Sequence, residues 1–278
     1  MLPHERTTPK AKTDRLDLTR ATEANLSPVW GLSLTAGLTE LLVEPGELVG
    51  TCIDEQGVVH RVERIADPSR VEAIAGAVAS HPVLIADGHH RYAISRTYRD
   101  ERRAVDGAGP WDLTLAYVGE LVAEQLSIDA IHRVYPATSP EELLAALGDH
   151  VETSPAGPID EGFAPEMVAR GALCLVHPDR TGTWLTPRPE RFAGVRALDG
   201  ALLEHALRDA DLDVTYQHGI TQVVDLVASG QAGCAVLIRP TGIDEIRRTA
   251  DEGLLMPPKS TFFTPKLRTG LVIRPLAD

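Results

Sequence analysis

A mixed α/β fold is what this sequence predicts, and three observations carry the prediction. Short apolar runs of strand length alternate with segments of helical periodicity along most of the 278 residues. One pair of runs flanks a four-residue polar turn at 54–57, the pattern of an antiparallel hairpin. No G-x-G-x-x-G follows an opening strand, so a strictly parallel dinucleotide-binding order is not expected. The length allows one large core or two ordinary ones. We expect a first region over residues 1–136 and a second over 137–278, joined at Pro136–Pro140.

The first two dozen residues are polar, with Pro3 and Pro9, and do not form a complete domain start. Ser27–Leu34 reads as a strand and Leu38–Val43 as a short helix. Leu48–Ile53, the turn Asp54-Glu55-Gln56-Gly57 and Val58–Val62 make the hairpin. Pro68-Ser69 opens a helix with Val71, Ile74, Ala75 and Val78 on one face, which leads into a buried strand at Val83. A helical pattern including Ala93, Ile94 and Tyr98 follows, then a polar loop over 102–110 and strands at Leu113–Leu121 and Ile128–Tyr135. Beyond the junction comes a helix through Leu143, Leu144 and Leu147. Residues 153–165, with Pro155, Gly157, Pro158, Gly162 and Pro165, read as an irregular loop. Leu173–His177 and Thr183–Thr186 read as paired strands. A helix at Asp199–Arg208, a strand at Val214–Tyr216, a helix at Thr221–Ala228, a buried strand at Cys234–Ile238 and a helix at Ile243–Glu252 complete the alternation.

Charge bounds the partners. With 27 basic against 40 acidic residues the net charge is -13, which repels nucleic acid at long range and disfavours DNA binding. No apolar run reaches the roughly 20 residues that span a bilayer, and the opening Met-Leu-Pro-His-Glu-Arg lacks the order of a secretory signal. Cys52, Cys174 and Cys234 lie far apart in or beside apolar segments, which suits buried thiols in a reducing cytoplasm.

The densest chemistry is Asp87-Gly88-His89-His90-Arg91, where the strand from Val83 hands over to a helix. A helix N-terminus presents unpaired N–H groups and a positive dipole end, which suits an anion. Gly88 permits a sharp turn or a close approach. Asp87 could orient a hydroxyl or take its proton, a histidine could shuttle a proton or donate to a phosphate oxygen, and Arg91 offers a fork for phosphate. The structural alternative is that Asp87 caps the helix and pairs with Arg91 while the histidines lie at the surface.

A second segment, Met256–Lys266, sets Lys259, Ser260, Thr261 and Lys266 among prolines and Phe262-Phe263. Its lysines suit phosphate as point charges and its hydroxyls as donors, although the spaced glycines of a Walker A loop are missing. Its bland reading is a surface turn anchored by the two phenylalanines. His132-Arg133 ends the strand from Ile128 and would join the first motif if that strand lay beside Val83–Ala86; otherwise it is a solvated pair. His4-Glu5-Arg6-Thr7, with Lys12, Asp14 and Arg15, reads as a charged terminus. Among metals, a magnesium ion held partly by substrate phosphates fits better than a zinc cage, because adjacent histidines point apart.

In the order HExT…K…DR, IADGHHRY, a strand ending in HR, and MPPKSTFF-PKL-GLVI, the chain resembles the domain-of-unknown-function family numbered 1015. Members usually carry an additional stretch before HExT, so this chain is expected to begin inside that pattern. More distantly, Asp-Gly-His-x-Arg is similar to the nucleotide-binding turn shared by ParB-type partition proteins, sulfiredoxin and ADP-dependent free-serine kinases. The resemblance implies a sulfiredoxin/ParB-like core and nucleotide phosphates held at Gly88, His89, His90 and Arg91. Asp87 would orient or deprotonate an acceptor hydroxyl, and Glu5 would be a second carboxylate. His132, Arg133, Lys259, Ser260, Thr261 and Lys266 complete the expected binding set. The implied activity is phosphotransfer from ADP or ATP, with Mg2+, to a small hydroxyl-bearing metabolite. A nucleotide-sensing module without catalysis and a metal-dependent hydrolase are the alternatives.

Overall fold

The computed structural model describes residues 13–55, 57–122, 126–160, 162–253, 259, 261–264 and 266–277. His4-Glu5-Arg6-Thr7, Lys12, Met256–Pro258, Ser260 and Pro265 lie outside the described residues. The chain divides into two compact units, Met1–Leu126 with Arg247–Leu255 and Pro265–Asp278, and Ser127–Ile246 with Met256–Thr264.

In the first unit α1 (Thr13–Thr22) leads into β1 (Ala24–Asn25) and β2 (Val29–Ser33), followed by α2 (Leu38–Leu42) and the hairpin of β3 (Glu47–Ile53) and β4 (Val59–Arg64). Then come α3 (Pro68–Ala79), β5 (Val83–Asp87), α4 (His89–Asp106) and β6 (Ala116–Glu120). A three-stranded sheet has the order β5-β2-β6, with β2 antiparallel to β5 and parallel to β6. Both β2 and the first four residues of β5 are buried at every position. Apolar residues without alternation produce a strand covered on both faces. The helix α3 starts as its sequence dictates, with Pro68 in the first turn and the Asp67 carboxylate accepting from the Arg70 N–H at 2.9 Å. At α2 the Glu120 carboxylate accepts from the N–H groups of Gly37 and Thr39, at 3.1 and 2.8 Å. Those bonds hold its titration below the usual carboxylate range, with the Thr39 N–H the largest cause.

The second unit runs β7 (Ser127–Asp129), β8 (Ile131–Tyr135), α5 (Pro140–Leu147), β9 (Val151–Pro158), α6 (Phe163–Arg170), β10 (Leu173–Val176) and β11 (Thr181–Pro187). It continues with α7 (Asp199–Ala206), β12 (Thr215–His218), α8 (Ile220–Ala228), β13 (Cys234–Leu237), α9 (Ile243–Asp251) and β14 (Phe262–Thr264). From Arg247 the chain of α9 counts with the first unit, where β15 (Arg274–Pro275) pairs with β1.

Six antiparallel strands form the centre of this unit in the order β12-β8-β13-β10-β11-β9. Strand parity sorts the side chains onto two faces. Tyr135, Leu173, Leu175, Cys234 and Val236 pack with α5 and α7 residues such as Leu143 and Leu203. Val134, Cys174, Val176, Ala235 and Leu237 pack with Met167 of α6 and Val223 and Val227 of α8. A sheet covered on both faces by helices is the result, and mixed α/β describes both units.

Three local expectations need correction. Residues 153–165 are not an irregular loop, since 151–158 form β9 and Phe163–Arg170 the helix α6. The strand survives its prolines because it is the outermost of its sheet and pairs on one side only. Its register jumps from Gly182↔Gly157 to Thr183↔Pro155, leaving Ala156 as a bulge. Next, 128–135 is two strands: β7 pairs with β14, whereas β8 joins the six-stranded sheet. Finally, Cys174 and Cys234 are buried but Cys52 is exposed, because the β3–β4 hairpin is a two-stranded sheet whose first strand is exposed throughout.

Candidate functional site

The first motif sits where β5 ends. Asp87 is the last residue of that strand and the cross-strand partner of buried Trp30 in β2. Gly88 follows with φ +89° and ψ 27°, a left-handed conformation that costs an L side chain but not glycine. The helix α4 begins at once, and its first backbone bond runs from the Tyr92 N–H to the Gly88 carbonyl at 2.9 Å. Helix geometry leaves the N–H groups of His89, His90 and Arg91 without partners inside the helix. Gly88, the residue at the N-cap position, has no side chain with which to cap α4.

Asp87 is used differently from a cap. Its Oδ2 accepts a hydrogen bond from Arg91 Nη2 at 2.7 Å, one helical turn on. Lys266 Nζ stands 3.8 Å from Oδ1. The guanidinium folds back over the glycine: a Cβ at residue 88 would lie 2.8 Å from Arg91 Nε and 3.0 Å from Nη2. That Nε is buried with no hydrogen-bond partner. Every residue from Asp87 to Tyr92 keeps part of its surface in solvent. A carboxylate, two cations, a donor without an acceptor and a helix N-terminus therefore share one partly open corner.

Of the remaining expected residues, His132, Arg133, Lys259, Ser260 and Thr261 fall in the second unit, and Lys266 and Glu5 in the first. Strand β8 is bonded to β12 and β13, whereas β5 is bonded to β2, so His132-Arg133 is not on a strand beside Val83–Ala86. Nor is it a solvated pair, since both residues are buried. As neighbours on a strand they face opposite sides of the sheet. His132 Nδ1 accepts from the Ile238 N–H at 3.2 Å, which leaves the proton of the neutral ring on Nε2. Burial first, then the nearby Arg133 charge, pulls its titration down to about 4. Arg133 Nη1 donates to the carbonyls of Ile131 and Lys259, at 2.5 and 3.0 Å, and its guanidinium lies 5.1 Å from the centre of the Tyr216 ring.

Lys259 is exposed with φ +59°, Thr261 is buried, and Phe262 stacks on His218 with ring centres 4.4 Å apart. Phe263 is fully buried, so the phenylalanines do anchor this segment. Glu5 and Ser260 lie outside the described residues. Sequence reasoning missed Trp30 and Tyr135, whose only signals were an aromatic inside an apolar run and a strand position two beyond Arg133. Among the described residues no group of three or more His, Cys, Asp or Glu stands close enough to hold a metal ion.

Fold and corner together define a mixed α/β protein with an acid–glycine–histidine–arginine turn at a helix start. A family model for proteins of unknown function, DUF1015, matches residues 1–201, and the chain belongs to that family. Among solved structures it is similar to a free serine kinase in complex with AMP, at 13% identity and a TM-score of 0.53, over 99% of this chain and 88% of that one. A conserved hypothetical protein from Pyrococcus furiosus matches at 12% identity and a TM-score of 0.52, over 99% and 92% of the two chains. SbnI from Staphylococcus aureus, with a C-terminal truncation, matches at 14% and 0.52, over 98% and 82%. No curated protein sequence matches the chain. At such identities these likenesses carry the fold.

Proposed function

We propose that this protein is a nucleotide-dependent phosphotransferase acting on a small hydroxyl-bearing metabolite, with nucleotide phosphates held at the turn of Gly88, His89, His90 and Arg91. The observation that carries the reading is the corner itself, in which the buried Arg91 Nε lacks an acceptor beside the start of α4. Neighbours of the same fold bind AMP and, in a mutant free serine kinase, ADP, which supports an adenine nucleotide as the donor.

Phosphoryl transfer asks a protein mainly to position reactants and offset charge. The acceptor oxygen attacks phosphorus, the bond to the leaving nucleotide oxygen breaks, and the hydroxyl proton passes to the Asp87 carboxylate. Arg91 and the first N–H groups of α4 stabilise the phosphoryl oxygens. Lys266, already near Asp87 Oδ1, adds a point charge where the transferred group arrives. His89 and His90 serve as further donors, and Glu5 as a second carboxylate. Lys259, Ser260 and Thr261 belong to the second unit and are given no contact with this corner. We give His132 and Arg133 no direct contact with the nucleotide, because each is buried and engaged within its own sheet. A divalent cation at Asp87 would meet two cations already there, so Mg2+ is assigned no ligand among the described residues and no step passes through it.

The test begins with thermal shift against ADP, ATP, CTP and GTP, since a ligand selective for the native state raises the melting temperature. An adenine nucleotide is expected to stabilise the wild type, and Arg91→Ala to lose that shift. Asp87→Asn should keep nucleotide binding while turnover falls about 10²–10⁴-fold. Unchanged turnover in both variants would falsify the assignment. Nucleotide binding without transfer to any hydroxyl acceptor would instead make the corner a sensor.

A further inference from the structure

On the α7 side of its six-stranded sheet, the second unit holds a cavity of about 190 Å³. Arg133 and Tyr135 of β8 line it together, as residues two apart on a strand must share a face. Tyr216 of β12, Leu203 and Glu204 of α7 and Leu212 complete the wall used here. Arg133 and Tyr135 are each only 3% exposed. The bonds from Arg133 to the Ile131 and Lys259 carbonyls fix the plane of its guanidinium. The Tyr135 hydroxyl has no hydrogen-bond partner among the described residues. Burial raises its titration, so it stays a neutral O–H donor.

A fixed cation beside a spare hydroxyl donor selects an anion, and a carboxylate takes both bonds. The leucine wall selects an apolar body. A cavity of about 150 Å³ holds a benzene-sized molecule, so this one has room for an acid of about six carbons.

We propose that this cavity binds a small carboxylate with an apolar body, the carboxylate on Arg133 and Tyr135 and the body against Leu203 and Leu212. The site lies wholly in the second unit and does not depend on the phosphotransferase reading. An apolar α-amino acid and a plain branched acid share this carboxylate-and-body chemistry and are the two sources that the test separates.

The test uses the full chain, with thermal shift and calorimetric titration of isocaproate, leucine, acetate and isoamylamine. Isocaproate or leucine should raise the melting temperature, whereas acetate, lacking the body, and isoamylamine, lacking the carboxylate, should not. Tighter binding of leucine assigns the site to amino acids; tighter binding of isocaproate assigns it to plain acids. Tyr135→Phe should weaken binding about tenfold. Ala210→Leu, which fills the cavity from its wall, should abolish binding with the circular dichroism spectrum unchanged. No shift with either acid on the folded wild type overturns the proposal, as does a shift that survives both substitutions. Nucleotide binding is read separately on the same protein, so failure of one site leaves the other standing.

Discussion

Gly88 does two jobs that no other residue type combines. Its left-handed backbone turns the chain from β5 into α4, and its missing side chain is the floor on which the Arg91 guanidinium rests. Gly88→Ala should therefore cost about 1–2 kcal/mol in urea unfolding and also push the guanidinium off Asp87, since a flexible arginine tip yields before backbone does. Loss of nucleotide-induced stabilisation with only modest destabilisation is the expected signature; full retention of that stabilisation would show that the turn has no need of the contact. His132 is the second residue with a measurable consequence. Its folded-state titration lies near 4 against an ordinary 6.5, so between those values the unfolded chain takes a proton that the folded one refuses. Stability should fall as pH drops through that window, by up to about 3 kcal/mol, with no contribution above it. Denaturant titrations from pH 7 to about 4.5 should show a shallower slope for His132→Asn, whose amide oxygen can still accept from Ile238.

At the scale of elements, helix starts show how local chemistry is specified. Ser139 accepts from the Glu142 N–H at 3.2 Å while Glu142 accepts from the Ser139 N–H at 2.8 Å, a reciprocal cap for α5. Ser139→Ala should cost about 1 kcal/mol in chemical denaturation, and an unchanged midpoint would show that packing of Leu143 and Leu147 alone sets this helix. Pro68 was legible as a helix start for the same reason, because the signal is carried by the residues that do the work, whereas Pro140 reads as part of the junction although it is the first residue of α5. Strands β5, β10 and β13 were equally legible, because an unbroken apolar run has few other uses. The edge strand β9 was not, since its prolines are forbidden or harmless according to neighbours that sequence does not reveal. At the candidate site the order Asp-Gly-His-His-Arg announced the turn, and its structural alternative announced the Asp87–Arg91 pair, but not that Lys266 would come from far along the chain. His132-Arg133 reads either as part of the first motif's cleft or as a solvated pair, because adjacent charged residues are usually exposed. Burial of both on opposite faces depends on a sheet assembled from strands far apart in sequence.

For the molecule as a whole, the division into two compact units raises the expectation of two unfolding events. Leu175 is fully buried in the second unit, and Leu175→Ala should remove about 2–5 kcal/mol there. Calorimetry is expected to show two transitions, with this substitution lowering one and leaving the other; a single transition shifted whole would mean that the units melt as one. The six-stranded sheet has two very different borders. On one side Pro155 and Pro158 interrupt the row of amide hydrogens that an incoming chain would need, so β9 closes that side to aggregation by sheet extension. Growth of an aggregate through this sheet would have to begin at β12, whose four residues contain no proline, and a proline introduced there is the change that would seal the protein against it.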